Sequence, residues 1–389
     1  MANSAVRIVH IITDLDTGGA EMMLYKLLSH MDRKRFEPAV ISLMAGGTVR
    51  DRIESLGIPV YSLDMKQGIP SISAVWRLRA LVRQLRPNLL QGWMYHGNLT
   101  AQLASAFQLG QIPVIWNIRQ SLYDLRYEKK TTALIIRLGA RLSYFPACIL
   151  YNSQISAQQH ESLGYQPRKT HLIANGFDLT KFTSSLAARE QIRSELGLPE
   201  KSLLIGLIGR YHPMKDHATF LQAAAALRQH LPSQSVQFLL VGQRVDWENE
   251  TLVAIARNLN LTNHLHLLGE RSDIPNITAA LDIATSSSYA EAFPNTIGEA
   301  MCCGVPCTVT AVGDSAKIVG ETGKVVPPRD PQALATGWEQ LIDLGRKGRE
   351  SLGQLARDRI QQHFSLNAIA TQYADLYRKV LAESDSRPR

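Results

Sequence analysis

Residues 285–315 read TSSSYAEAFPNTIGEAMCCGVPCTVTAVGDS, and the punctuation of this stretch decides the fold. A short apolar run, 281–285, enters it as the end of a strand. A Ser- and Ala-rich loop follows, and a helix is predicted to open near Pro294 and Asn295. Proline suits the first helical turn, because its missing N–H would have no helical partner there. The backbone N–H groups of Asn295 and Thr296 are then predicted to point into a crevice, where the helix dipole favours an anion. Glu291 stands before that turn and Glu299 one to two turns inside it. Carboxylates repel an anion, so these two are read as facing neutral hydroxyls. As acceptor-only groups they would grip sugar and ribose O–H on either side of a diphosphate. Gly304-Val305-Pro306 leads into a second strand, and Gly313-Asp314-Ser315 makes the next loop.

Upstream, an apolar run at 203–208 is followed by Gly209-Arg210-Tyr211-His212-Pro213-Met214-Lys215-Asp216-His217. Ligands of open α/β sheets sit beyond the carboxyl ends of strands. Arg210 offers forked, planar donors and Lys215 a mobile point charge, which suits two sides of a diphosphate. The plain alternative is an exposed loop with scattered charges. The sequence has no DxD-like pair placed to hold a divalent metal, so a metal-independent site is expected, with cationic side chains and a helix dipole neutralising the diphosphate.

Strand-like runs continue at 236–241, 264–268, 306–309 and 324–326, with helical stretches between them. The first half repeats the pattern. Val6 opens an apolar run to residue 13, then come a loop containing Gly18-Gly19 and a helical stretch from Ala20. This is the opening unit of a doubly wound sheet. Gly18-Gly19 is not GxGxxG, which disfavours NAD, but two glycines at a strand's carboxyl end let backbone approach a ligand closely. Further strands are read at 38–43, 59–63, 89–91, 114–117, 148–152 and 171–173. His96, in Gly92-Trp93-Met94-Tyr95-His96-Gly97-Asn98, follows one of them. It is read either as a structural histidine or, with Gly97-Asn98 beside it, as an exposed cleft residue. Asn117-Ile118-Arg119-Gln120-Ser121 holds the equivalent place after the next strand. The whole β/α alternation therefore occurs twice, giving two Rossmann-like domains, 1–180 and 186–365, divided by the polar Asn-Gly stretch around 175–185. Residues 366–381 have helical spacing, and the polar tail 383–389 is expected to be disordered.

At 389 residues and 45 % hydrophobic, the chain is too long for one ordinary core. Cys302, Cys303 and Cys307 lie too close together for disulfides, and with Cys148 they read as small buried residues rather than metal ligands. The N-terminus lacks a signal-peptide pattern and no apolar run reaches about 18 residues, so a cytoplasmic protein is expected. The net charge is uneven: residues 1–175 hold 20 Lys/Arg against 11 Asp/Glu (+9), and residues 176–389 hold 22 against 23 (−1). The basic residues punctuate apolar helices, as in Trp76-Arg77-Leu78-Arg79 and from Tyr127-Glu128-Lys129-Lys130 through Arg137 to Arg141. That disfavours nucleic acid and suits an anionic membrane surface or a lipid-diphosphate acceptor, against the simpler reading of a solvated basic face.

Glu291-Ala-Phe-Pro-Asn-Thr-Ile-Gly-Glu299 fits an E-x7-E pattern. With Gly18-Gly19-Ala20-Glu21, Asn152-Ser153, Asn175-Gly176-Phe177-Asp178, Gly209-Arg210 and Lys215 it resembles the retaining glycosyltransferases of family four (glycosyl transferases group 1), and bacterial surface-polysaccharide enzymes among them. The resemblance implies the GT-B fold, two Rossmann-like doubly wound domains facing across a cleft, with the final helix crossing back onto the first. It implies that Glu291 contacts donor-sugar hydroxyls and Glu299 the ribose. Arg210 and Lys215 would bind the diphosphate, assisted by Gly209 and the amides of Phe293 to Thr296 and Gly18-Gly19, with His96 near the sugar. It further implies a UDP- or GDP-sugar donor, no metal, and a glycan or polyprenyl-diphosphate-linked acceptor at the inner face of the cytoplasmic membrane. The three clustered cysteines stand where the family more often has Ala, Ser or Val. Two rivals remain at this level: a sugar-nucleotide epimerase of the same build, and a non-catalytic sugar-nucleotide-binding protein.

Overall fold

The computed structural model describes residues 5–66, 71–109, 111–122, 125, 129–199 and 201–386. The chain folds as two units, Met1–Gly176 with Leu366–Arg389, and Phe177–Ser365.

The first unit alternates β1 (Val6–Ile12), α1 (Gly19–Ser29), β2 (Phe36–Ser42), α2 (Arg50–Ser55), β3 (Val60–Ser62), α3 (Ile72–Leu85), β4 (Leu89–Trp93), α4 (Met94–Ala106), β5 (Val114–Ile118), α5 (Lys130–Leu142), β6 (Cys148–Tyr151), α6 (Gln154–Ser162) and β7 (Thr170–Leu172). Its sheet is parallel, in the order β3-β2-β1-β4-β5-β6-β7. The central strands are buried along their whole length because helices cover both faces. Successive residues of β1 serve opposite faces. Ile8 and Ile12 pack with Leu24 and Leu27 of α1 and Ile53 of α2. Val9 and Ile11 pack with Leu78 of α3, Ala101 of α4 and Ile136 of α5.

The second unit holds α7 (Leu186–Glu195), β8 (Leu203–Ile208), α8 (His217–His230), β9 (Val236–Val241), α9 (Glu250–Asn258), β10 (Leu265–Leu267), α10 (Ile274–Ala280), β11 (Ile283–Ser286), α11 (Asn295–Cys302), β12 (Cys307–Thr310), α12 (Ser315–Val319), β13 (Gly323–Val326), α13 (Pro331–Asp343) and α14 (Gly345–His363). Its sheet is also parallel, ordered β10-β9-β8-β11-β12-β13. Phe220, Phe238 and Trp338 form the aromatic centre of one face, and the Trp338 indole donates to Thr285 Oγ1 at 2.9 Å. Cys148, Cys302, Cys303 and Cys307 are buried free thiols, and burial pushes those of Cys148 and Cys303 up to about 12.

The last helix, α15 (Leu366–Asp385), belongs to the first unit. Its Tyr377 hydroxyl donates to Gln91 Oε1 at 2.5 Å, and its Tyr373 hydroxyl accepts from Asn117 Nδ2 at 3.1 Å and Arg119 at 2.9 Å. The Tyr373 ring also stacks on Trp93.

Three features differ from the sequence reading. Residues 177–180 go with the second unit, because the Phe177 amide donates to Phe364 O at 2.8 Å and its ring stacks on Phe293. Residues 383–385 continue α15 rather than leaving the fold, because the good helix formers Leu381, Ala382 and Glu383 lead into them and no Gly or Pro intervenes. The helix after β4 begins at Met94, so Gly97 and Asn98 are buried inside it and do not flank an open cleft. Tyr127 and Glu128, part of the basic stretch, lie outside the described residues. Among those described, no helix is long and apolar enough to cross a membrane.

Candidate active site

A ligand site in an open parallel sheet forms where strand order reverses, since neighbouring loops there diverge to opposite faces. In the second unit that point lies between β8 and β11. The loops after those two strands carry Arg210 and Lys215 on one side and Glu291 on the other.

These loops are laced together. After β8 the chain makes a single 3₁₀ turn, Pro213–Lys215, and its His212 Nδ1 accepts from the Met214 amide at 3.2 Å. Burial, then the charges of Arg210 and Lys215, hold the His212 pKa below its ordinary value, which keeps the ring neutral and able to accept. Asp216 then adopts the left-handed region (φ 51°) that Asp tolerates and caps α8 by accepting from Thr219. From the other loop, Ser287 Oγ donates to the carbonyls of Lys215 and Asp216 at 2.8 and 3.0 Å. The Tyr289 amide donates to Met214 O at 3.0 Å.

The result brings Lys215 Nζ to 2.5 Å from Glu291 Oε1, while Ser288 Oγ donates to the same oxygen at 2.9 Å. The compensation that the carboxylate needs is thus supplied in part by the chain's own lysine. Beneath them, Thr310 Oγ1 donates to Ser288 O at 2.5 Å. Gly313 (φ 54°) lies against the carbonyls of Glu291 and Ala292, where a Cβ would collide and a side chain would be strained. Ser287, Ser288 and Thr310 are not singled out in the sequence, and Gly313 reads only as part of a loop. Their only signal was hydroxyl and glycine enrichment at the ends of β11 and β12.

Pro294 is extended (φ −73°, ψ 100°) and precedes α11 as its N-cap instead of sitting in its first turn. It offers no side-chain acceptor, so no side chain caps the helix there. Asn295 and Thr296 are half-buried first-turn residues, and Glu299 is half-buried in the next turn. Phe293 is buried between Phe177 and Phe364, so only its backbone is available to a ligand. Gly209 donates its amide to Val241 O at 2.8 Å and packs against the Lys215 stem. Arg210 is exposed beside them.

In the first unit, order reverses between β1 and β4. Gly18 and Gly19 follow β1, and His96 lies in the first turn of α4 after β4, half-buried, its pKa lowered by burial. Gly18 is the extended N-cap of α1, and the Glu21 carboxyl folds back against it. Burial raises the Glu21 pKa, and Asp14 and Asp16 raise it further.

Residues 17–181 match the family model for Glycosyltransferase Family 4, and residues 202–343 that for Glycosyl transferases group 1. The chain is 25 % identical over 381 residues to the putative glycosyltransferase EpsF of Bacillus subtilis, covering 92 % of this chain and 94 % of that one. It is 28 % identical over 219 residues to the UDP-Gal:alpha-D-GlcNAc-diphosphoundecaprenol alpha-1,3-galactosyltransferase of Escherichia coli, 56 % of each chain. For several other curated relatives the match spans about half the relative's length. Among solved structures, Anabaena HepE in complex with UDP and glucose superposes with a TM-score of 0.79 at 23 % identity, over 96 % of this chain and 100 % of that one. Two parallel-sheet Rossmann-like units in this order are the GT-B architecture, and with both family models matched in succession the chain belongs to the group 1 glycosyltransferases of family four.

Proposed function

We propose that the protein is a retaining hexosyltransferase that moves a sugar from a UDP- or GDP-sugar to an acceptor hydroxyl, in the assembly of a cell-surface polysaccharide or glycolipid. The observation that carries this reading is the Lys215–Glu291 pair braced at the β8/β11 reversal beside the start of α11. Within the chain the two side chains pair with each other. An incoming donor exchanges partners: its diphosphate takes Lys215 and the exposed Arg210, and Glu291 is freed to accept from a sugar hydroxyl. The uncapped first turn of α11, with Asn295 and Thr296, faces the same phosphates, and Glu299 takes the ribose. Gly18, Gly19 and Gly209 supply close backbone approach, and His96, neutral at pH 7, serves as a hydrogen-bonding partner for the sugar.

As the anomeric C–O bond loosens, charge grows on the departing diphosphate, and Lys215, Arg210 and the helix dipole stabilise it without a resident metal. The acceptor hydroxyl attacks from the same face and gives its proton to the leaving phosphate, so configuration is retained with no enzyme nucleophile. The diphosphoundecaprenol-linked acceptor in the name of the Escherichia coli relative supports a polyprenyl-diphosphate-linked acceptor.

The test is a panel of UDP- and GDP-sugars scored by melting shift, because ligands that bind only the folded state stabilise it by mass action. The best donor is then incubated with and without acceptor, in chelator, and the product's anomeric configuration is read by NMR. A retained glycoside formed only with acceptor supports the reading. A new sugar nucleotide formed from donor alone would make the protein an epimerase, and an inverted product would remove the front-face mechanism.

A further inference from the structure

Asp282 stands at the amino end of β11 and Pro306 at that of β12, whereas Lys215 and Glu291 follow the carboxyl ends of their strands. Between those amino ends, the start of α7 and the start of α14 lies a cavity of about 280 Å³. That is close to the lower bound, roughly 300 Å³, of small-molecule sites. None of the residues assigned above to sugar or diphosphate lines it. Three guanidinium groups do, those of Arg189 on α7 and of Arg346 and Arg349 on α14, together with the carboxylates of Asp282 and Glu350.

Both carboxylates are already engaged. Asp282 Oδ1 accepts from Arg189 at 2.6 Å, and its Oδ2 accepts from the Leu204 amide at 2.8 Å and from Arg193 at 3.3 Å. Glu350 accepts from Arg346 Nε at 2.9 Å. Arg349 is only 8 % exposed and bonds to neither. One of its terminal nitrogens, Nη1, donates to the carbonyls of Leu341 at 3.4 Å and Ile342 at 3.1 Å. Its Nε and Nη2 donate to no described residue. Burial and the charges of Arg189 and Arg346 hold its pKa below the ordinary value, against the opposing pull of Asp282 and Glu350. A nearly buried cation whose hydrogen bonds go only to neutral carbonyls is costly, and a bound anion would offset that cost.

The rest of the wall agrees. Ser185 Oγ accepts from the Ala188 amide at 3.1 Å, so the Leu186 and Ala187 amides are the first-turn donors of α7 without a helical partner. The positive end of that helix therefore meets the same cavity as the arginines. Ser184 adds an exposed hydroxyl, and Leu281, Val305 and Pro306 make an apolar floor. A divalent cation would be repelled here, and a neutral ligand would leave Arg349 uncompensated. A phosphate group has oxygens enough for two forked guanidinium donors and the amides at once.

We propose that this cavity is a second ligand site, for a phosphate group, free or carried on a small molecule, held by Arg349, Arg346 and the start of α7. It shares no residue with the donor site, so it stands or falls independently of the sugar-transfer reading.

The experiment titrates the full chain carrying Lys215→Met, which removes a phosphate-binding charge of the proposed donor site, with inorganic phosphate and with glycerol 3-phosphate. Calorimetry at constant ionic strength in chloride should show one ion bound per chain. The tighter of the two probes tells whether the phosphate enters free or on a carrier, and binding of either supports the site. Arg349→Met or Ser184→Glu, each added to that background, should weaken binding at least about tenfold, the loss expected from one charge-assisted hydrogen bond. Melting curves report whether each variant folds. Arg349 also holds the last turn of α13, so Ser184→Glu, a change at an exposed position, decides the matter should Arg349→Met fail to melt cooperatively. No binding of either probe up to about 10 mM, or a folded cavity variant that binds as tightly as Lys215→Met alone, would overturn the proposal.

Discussion

Lys215→Met is the most informative single change, because it acts on the resting protein and on turnover by different amounts. Methionine keeps the apolar stem and removes the charge. In the resting state, Glu291 loses the 2.5 Å partner on Oε1 and keeps Ser288 at 2.9 Å. The two side chains are 27 % and 15 % exposed, so the carboxylate stays partly hydrated. The cost is then well below the 3–5 kcal/mol of breaking a fully buried pair, and about 1–2 kcal/mol is expected. For a unit of this size that lowers Tm by about 2–8 °C. Glu291→Gln on top of Lys215→Met should recover part of that loss, since it removes the uncompensated charge, and a double-mutant cycle should give a coupling of about 1 kcal/mol. Turnover should respond far more: losing one stabiliser of the departing diphosphate costs about 10²–10³-fold. Differential scanning calorimetry and initial rates with the donor found by melting shift measure both. A variant that melts several degrees lower yet transfers sugar at near-normal rate would show that the pair is a structural brace and no part of the chemistry.

Acid should unfold the protein through its buried histidines. Burial holds His10 at about 3 and His160 and His217 at about 4, against 6.5 unfolded. The unfolded chain then binds more protons, so stability is complete above about pH 6.5 and falls toward pH 4, by about 1.4 kcal/mol per pH unit for each histidine. Urea melts at pH 7 and 5.5 should show the loss, and flat stability over that range would contradict it. Gly298→Ala places a methyl group in the Phe177 ring and should cost about 1–3 kcal/mol by overpacking, read as a lower Tm. Tyr377→Phe leaves the buried Gln91 carboxamide oxygen without its 2.5 Å donor and should cost about 1–3 kcal/mol, read by the same assay.

What the sequence disclosed was whatever local patterning encodes. Apolar runs of three to eight residues separated by helical spacing located the strands to within a residue or two at most positions, because a strand covered on both faces has no polar side to blur it. The E-x7-E spacing placed Glu291 and Glu299 around a helix start for the same reason. Relations between distant residues were not legible. Lys215 and Glu291 are 76 positions apart, and nothing in either segment announces an ion pair. Gly97 and Asn98 read as flanking an exposed cleft residue, yet that glycine lets α4 approach the backbone of Ile11, and Asn98 Oδ1 accepts from the Asn117 amide at 3.0 Å. Pro294 fits N1 by propensity, but its extended ψ puts it one step outside the helix.

The return of α15 to the first unit has a consequence for synthesis. Gln91, Trp93, Asn117 and Arg119 are translated long before Tyr373 and Tyr377, which cover them. The second unit is one continuous segment and can close as soon as it emerges, whereas the first must wait with a polar and aromatic seam open until residues 366–385 arrive. The order of completion is therefore the reverse of the order of translation, and a nascent chain arrested before α15 should present the unfinished seam to chaperones.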